Sequence, residues 1–125
     1  MFDKRLGNNY QIHNLVVMKH IALIALLLST PAIADYATWY GNQFHGKKTA
    51  SGERFNQNAM TCASNKHKLG TRLKVTNLAN GKSIVCRVND RGKLGKGVVV
   101  DLSKGAFAKI ARLSQGRIKV KVTVK

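Results

Sequence analysis

The chain has 125 residues, 22 Lys+Arg against 5 Asp+Glu for a formal net charge of +17, and 2 Cys. That length allows one domain and argues against two. With 44% hydrophobic residues it is not a disordered polycation, and no apolar run reaches the roughly 18 residues of a spanning helix, which excludes an integral membrane protein. Two Cys without a CxxC pair argue against a Cys-rich zinc module, and so large a charge bears on solubility and anionic partners rather than on fold.

The first informative stretch is Met18 to Ala34. Lys19 and His20 precede the apolar run Ile21–Leu28, followed by Ser29-Thr30-Pro31 and Ala32-Ile33-Ala34. These are the n-region, h-region and small-residue cleavage site of a secretory signal. The expected division is residues 1–34 as an N-terminal extension plus signal, with Met18 the true start and cleavage after Ala34, and 35–125 as the mature domain. No Cys stands directly after the apolar run, so lipid attachment at a bacterial-type lipobox is not expected. The expected location is the periplasm or outside the cell. The mature domain keeps 19 Lys and Arg against four acids, Asp35, Glu53, Asp90 and Asp101, a net charge of +15. Asp35 becomes the terminal residue, so carboxylate chemistry must use Glu53, Asp90 or Asp101.

In chain order, Arg72–Thr76 alternates with Leu73 and Val75 on one face. Asn80-Gly81 then suits a tight hairpin, because both residues tolerate positive φ. Lys82–Asn89 places Ile84, Cys86 and Val88 together, with Val85 and Arg87 opposite. Val98–Val100 is a short apolar strand core. Ser103 can cap a helix in which Ala106, Phe107, Ile110, Ala111 and Leu113 follow helical spacing. Gly116 resets the chain, and Arg117–Lys125 alternates with Ile118, Val120, Val122 and Val124 inward. Short strands separated by turns, with one helix, predict a small closed or nearly closed barrel. Cys62 and Cys86 form a disulfide if the domain is exported; otherwise they are two buried thiols acting as small hydrophobes.

Four segments carry glycines and polar side chains that a plain barrel does not need: Trp39-Tyr40-Gly41, Thr49–Phe55, Asn89–Gly92 and Val100–Ser103. The strings WYGNQFHGKKTASGERF, LGTRLKVTNLANGKS, RVNDRG and VDLS resemble, in order and spacing, the RlpA-like septal-ring-type lytic transglycosylases of bacterial envelopes. The resemblance covers essentially the whole mature chain. It implies an all-β, six-stranded double-psi β-barrel with one or two short helices and a glycan groove. It also implies cleavage of the MurNAc–GlcNAc bond of naked glycan strands without water, giving a 1,6-anhydro-MurNAc end. Such chemistry needs one carboxylic acid that protonates the glycosidic oxygen and then takes the proton of the attacking C6 hydroxyl.

Asp90 matches the acid of the NDRG motif; its plain alternative is a turn residue capping backbone N–H groups. Asp101 matches the acid of the DLS motif, and its alternative is to serve the helix after Ser103. Glu53, in SGERF, either orients substrate or partners Arg54 on the surface. Among so many cations, carboxylates should sit below their ordinary pKa unless burial opposes this, so a working general acid should be at least partly desolvated. Substrate contacts are expected from Trp39, Tyr40, Thr49, Ser51, Ser64, His67, Asn89 and Arg91.

Many family members carry a His eleven residues after the motif Glu, where this chain has Ser64; His67 lies three residues later. Tyr36, Trp39, Tyr40, Phe44 and Phe55 offer either a face for sugar stacking or barrel core, and Trp39 and Tyr40 point to opposite faces if strand-like, so that one of them is buried. No metal-ligand spacing or phosphate loop is present, and no cofactor is expected. The cations are spread evenly, which suits retention on an anionic envelope, and the export signal disfavours nucleic acid as a partner. A monomer is expected. Three functions follow: a lytic transglycosylase, which Glu53 and Asp90 favour; a non-catalytic, expansin-like wall-binding module, which Ser64 favours; and a cationic effector acting on membranes.

Overall fold

The computed structural model describes residues 35–125; the reading of 1–34 as extension and signal lies outside the described residues. The four alternating or apolar stretches become β3 (Arg72–Asn77), β4 (Ser83–Asp90), β5 (Val98–Leu102) and β6 (Ile118–Val124), and two further strands precede them, β1 (Asp35–Trp39) and β2 (Thr61–Ala63). The six close into a barrel in the order β1-β5-β2-β4-β3-β6. The β1/β5 and β2/β4 pairs are parallel and the other four are antiparallel. This is the double-psi arrangement, and closure leaves no open sheet edge.

The alternation has its expected consequence. Leu73 and Val75 of β3, Cys86 and Val88 of β4, Val100 and Leu102 of β5, and Ile118 and Val120 of β6 fill the barrel with Ala37 and Cys62. The predicted inward series of β6 holds through Val122, half-buried against the core, and fails at Val124, which is 63% exposed. Past Val120 the strand pairs, among the described residues, with β3 alone.

Cys62 and Cys86 form a disulfide with Cα atoms 5.8 Å apart, both fully buried. It ties the three-residue β2 to β4, and on the chain-entropy model closing its loop contributes about 3–4 kcal/mol. Helix α1 (Lys104–Ile110) buries Ala106, Phe107 and Ile110 against the barrel. The Ser103 hydroxyl accepts from Ala106 N–H (3.1 Å) and donates to Ala59 O (2.5 Å), as an N-cap should.

Two local expectations are corrected. The helix ends at Ile110; Ala111 is extended (φ −160°), and Leu113 opens a separate 3-10 turn, Leu113–Gln115. The hairpin between β3 and β4 is wider than two residues, and only Gly81 (φ +75°) takes positive φ. The reason is tertiary: the Asn77 and Asn80 amides both donate to Ile110 O, at 2.7 and 2.9 Å. They satisfy a carbonyl that the end of α1 leaves without a helical partner, and the loop is shaped to deliver them.

Candidate active site

Strand register builds the site. Ala63 of β2 pairs with Asp90 of β4 on one side and with Asp101 of β5 on the other, and Asp101 in turn pairs with Thr38 of β1. Asp90, Ala63, Asp101 and Thr38 therefore lie in a row across four strands. A register shift between Cys62 and Ala63 accompanies the β2/β4 pairing, and such irregularities re-aim a side chain at the end of a ladder. The smallest side chain of the row sits between its two carboxylates. Tyr40 and Phe55 pack on Ala63, their rings stacked at 4.8 Å, and Phe44 meets Tyr40 edge-on at 6.0 Å.

The two carboxylates have different surroundings. Thr38 donates its hydroxyl to Asp101 Oδ1 at 2.9 Å. Burial raises the Asp101 carboxyl to about 6, against the lowering effect of the Thr38 bond and with help from the charge of Asp90. Asp90 accepts three hydrogen bonds: from Ala50 N–H (2.9 Å) and its own neighbour Arg91 N–H (2.9 Å) at Oδ1, and from the Tyr40 hydroxyl (3.3 Å) at Oδ2. Burial pushes the Tyr40 phenol well above its ordinary range, and the charges of Asp90 and Asp101 add to this. Tyr40 is a fixed donor, not a base.

The loop that carries Glu53 is built around itself. Thr49 donates to Glu53 O (2.9 Å) and shares a hydroxyl–hydroxyl bond with Ser51 (2.9 Å), and Gly52 turns at φ +88°. Ser51 N–H donates to Asn89 O at 3.1 Å, which docks the loop on the end of β4 beside the Ala50–Asp90 bond. Glu53 does not pair with Arg54, whose guanidinium donates to Gly46 O (3.0 Å). Its partner is Arg87, which donates at 2.8 and 3.2 Å to the two carboxylate oxygens, while the Asn89 amide donates to Oε1 at 2.7 Å. The Arg87 and Asn89 bonds hold the Glu53 carboxyl below its ordinary range, so it is an ion-paired anion rather than a proton donor.

The structure gathers Asp90, Asp101, Tyr40, Thr49, Ser51, Asn89 and Glu53 around one end of the barrel and sends other candidates elsewhere. Trp39 turns away from Tyr40: its indole N–H donates to Leu113 O (3.0 Å) and its ring lies 6.4 Å from Phe107. Both residues are thus engaged, Tyr40 buried and Trp39 half-buried against the core and α1, because each face of β1 at this end is covered. Tyr36 lies under the Arg117 guanidinium at 4.0 Å. Phe44, 44% exposed, is the aromatic beside Tyr40 that remains open to solvent. Ser64 is fully buried, its hydroxyl accepting from Lys66 N–H (3.2 Å). His67 is half-buried and the Arg91 side chain is exposed, with no side-chain hydrogen bond from either among the described residues. Thr38 and Arg87 were not singled out from sequence. For Arg87 the signal was its outward position on an alternating strand; Thr38 gave none, since only the β1/β5 register brings it to Asp101. Among the described residues no three His, Cys, Asp or Glu side chains converge as a metal site would require.

Three comparisons place this arrangement among known proteins. The profile of the family described as lytic transglycolase matches residues 32–122. A probable endolytic peptidoglycan transglycosylase RlpA of Synechocystis is 58% identical over 80 residues, 64% of this chain and 25% of that protein. The endolytic peptidoglycan transglycosylase RlpA of Rickettsia felis is 41% identical over 123 residues, 94% of this chain and 50% of that protein. The chain thus spans a quarter to a half of the length of these relatives. Among solved structures, a Streptomyces papain inhibitor superposes with a TM-score of 0.56 at 25% identity, over 72% of this chain and 92% of the inhibitor. A Clavibacter michiganensis expansin superposes with a TM-score of 0.58 at 20% identity, over 74% of this chain and 49% of the expansin, and that likeness is one of fold. The closed six-stranded barrel and the profile match across nearly all of its described residues show that the chain belongs to the lytic transglycolase family, as an RlpA-like double-psi β-barrel domain.

Proposed function

We propose that the domain is a lytic transglycosylase that cleaves the MurNAc–GlcNAc bond of naked peptidoglycan strands, with Asp101 as its general acid and base. The observation that carries this reading is the Asp101 carboxyl, raised by burial to about 6 in a row with a second carboxylate. A catalytic acid must hold its proton near working pH, and Glu53, clamped by Arg87, does not meet that condition. Because Thr38 donates to Oδ1, the proton of the neutral acid resides on Oδ2. In the reaction the C1–O4 bond breaks and the Oδ2 proton passes to O4 of the leaving GlcNAc. The C6 hydroxyl oxygen then bonds to C1 and its proton returns to Asp101, so no water is consumed. Asp90, held by three donors, supplies the fixed negative charge that stabilises the oxocarbenium-like centre. Phe44 offers the exposed ring for sugar stacking. Export and residence at the anionic envelope, with the domain as a monomer, complete the reading.

A second reading, a wall-binding module that does not cleave, is favoured by the ion-paired Glu53 and by the buried Ser64 that stands where many relatives carry a His. The deciding experiment is incubation of the protein with peptide-stripped glycan strands, followed by mass spectrometry of the products. Products ending in 1,6-anhydro-MurNAc, absent with Asp101→Asn, support the enzyme. Reducing ends would mean hydrolysis and overturn the mechanism. Intact strands that co-sediment with the protein would leave the binding module.

A further inference from the structure

A cleft of about 490 Å³ lies between the C-terminal end of α1 and the β3–β4 loop, and three cations from separate segments line it: Lys82, Lys109 and Arg112. Asn80 and Gln115 add neutral amides to its wall. No carboxylate lines the cleft, and the one ion pair among the described residues joins Arg87 and Glu53 elsewhere. Lys82 precedes β4 and Asp90 ends it. At about 3.3 Å per strand residue, roughly 25 Å of strand separates this cleft from the candidate active site.

Lys109 alone would need no ligand to explain it, because a cation in the last turn complements the helix dipole. Lys82 and Arg112 are different: one arrives from the hairpin and the other from beyond the end of the helix. The negative end of the helix would ordinarily oppose an anion there, yet Ile110 O is already taken by the Asn77 and Asn80 amides. Those bonds also fix the loop that delivers Lys82, whose own N–H donates to Asn80 Oδ1 at 2.9 Å. Two lysines and an arginine lining one cleft match an anion with several acceptor oxygens and more than one charge, which a phosphate provides and a single carboxylate does not. The volume falls within the range of small-molecule sites and leaves room for the group carrying the phosphate.

We propose that this cleft is an anion site for a phosphate group borne on a sugar or a lipid headgroup, separate from the glycan groove. The site holds the domain on phosphate-rich envelope material while its other end remains free, and it does not depend on the role given to Asp101. The test is calorimetric titration of the full chain with glucose 1-phosphate at 0.15 M salt, where diffuse surface charge is screened beyond about 8 Å, with co-sedimentation on phosphatidylglycerol vesicles as a second arm. The triple variant Lys82→Gln, Lys109→Gln, Arg112→Gln is compared with an equal-charge control, Lys47→Gln, Lys66→Gln, Lys68→Gln. All six positions are exposed, and melting curves check that both variants remain folded. The proposal expects saturable binding that the first triple weakens about tenfold or more and the control changes less than twofold. Saturation by the sugar phosphate identifies a soluble or polymer-borne group, and binding confined to vesicles identifies a lipid headgroup. Equal weakening by both triples, or no saturable binding in either arm, overturns it.

Discussion

Asp101 and Glu53 belong to the same barrel end and to opposite electrostatic regimes. Asp101 lies in a strand between two strand neighbours, partly buried and with one hydroxyl donor, and its carboxyl is raised. Glu53 lies on a loop, with a guanidinium and an amide donating to it, and its carboxyl is lowered. Desolvation without a cation favours the neutral acid, and charge-assisted bonds favour the anion. On the proposed function the two carboxylates divide the labour, Asp101 transferring a proton and Glu53 holding the Thr49–Arg54 loop against β4.

The comparison breaks first at Asp101→Asn. Loss of a general acid costs about 10²–10⁴ in rate, and we expect cleavage to fall by that factor while stability at pH 7.5 rises. The folded carboxyl, at about 6, lies above its ordinary 3.8, so the stability that this group contributes is complete below about pH 4 and is lost as pH climbs through 6. Replacing it with a neutral amide restores about 1–3 kcal/mol at pH 7.5 and almost nothing at pH 4. Thermal unfolding at the two pH values measures this, and a variant less stable at pH 7.5 would contradict the desolvation of Asp101. For the same reason the cleavage rate of the wild-type protein should decline above about pH 6; a flat profile from 6 to 8 would assign the acid elsewhere.

Removing the disulfide is the next largest change. The Cys62→Ala, Cys86→Ala double variant should lose about 3–4 kcal/mol in denaturant unfolding. Because Cys62 neighbours Ala63, cleavage should suffer more than glycan binding. A loss below about 1 kcal/mol would show that pairing to β4 and β5 holds β2 without the staple.

Tyr40→Phe keeps the stack on Phe55 and removes one donor to Asp90. A neutral donor to a charged acceptor contributes about 1–3 kcal/mol, and the 3.3 Å length argues for the lower end. We expect a rate reduction of about tenfold or less with stacking intact, read from kinetics and near-UV circular dichroism.

The smallest effect belongs to the exposed pair. A double-mutant cycle with Glu53→Gln and Arg87→Gln should return about 0.2–1 kcal/mol of coupling. Its contribution is present above the ordinary glutamate range and disappears as pH falls through the lowered Glu53 value. Coupling of several kcal/mol would mean that the loop is clamped far more firmly than a solvent-exposed ion pair allows.

Much of the barrel was legible in the pattern of residues. Alternation in 72–76, 82–89 and 117–125 reports a strand with one face in the core, and the Ser103 cap marks the start of α1. β1 and β2 carry no such signal: β2 has three residues, all buried, so nothing alternates, and the burial of β1 is mixed. The motif strings located three carboxylates without ranking them, since rank depends on what surrounds each one. Arg54 neighbours Glu53 in the chain, yet Arg87 is the partner because β4 runs beneath the loop.

The amino-acid sequence by itself determined a basic, mostly β domain, one Cys pair, and a short list of acids in recognisable strings. These are properties of composition, period and local propensity, which neighbours along the chain suffice to express. Tertiary structure alone decided that Asp90 and Asp101 flank Ala63, that Thr38 meets Asp101, and that Glu53 is ion-paired to Arg87. Each of these depends on strand register and on the removal of water from one carboxylate but not another, and both arise only when distant segments close the barrel.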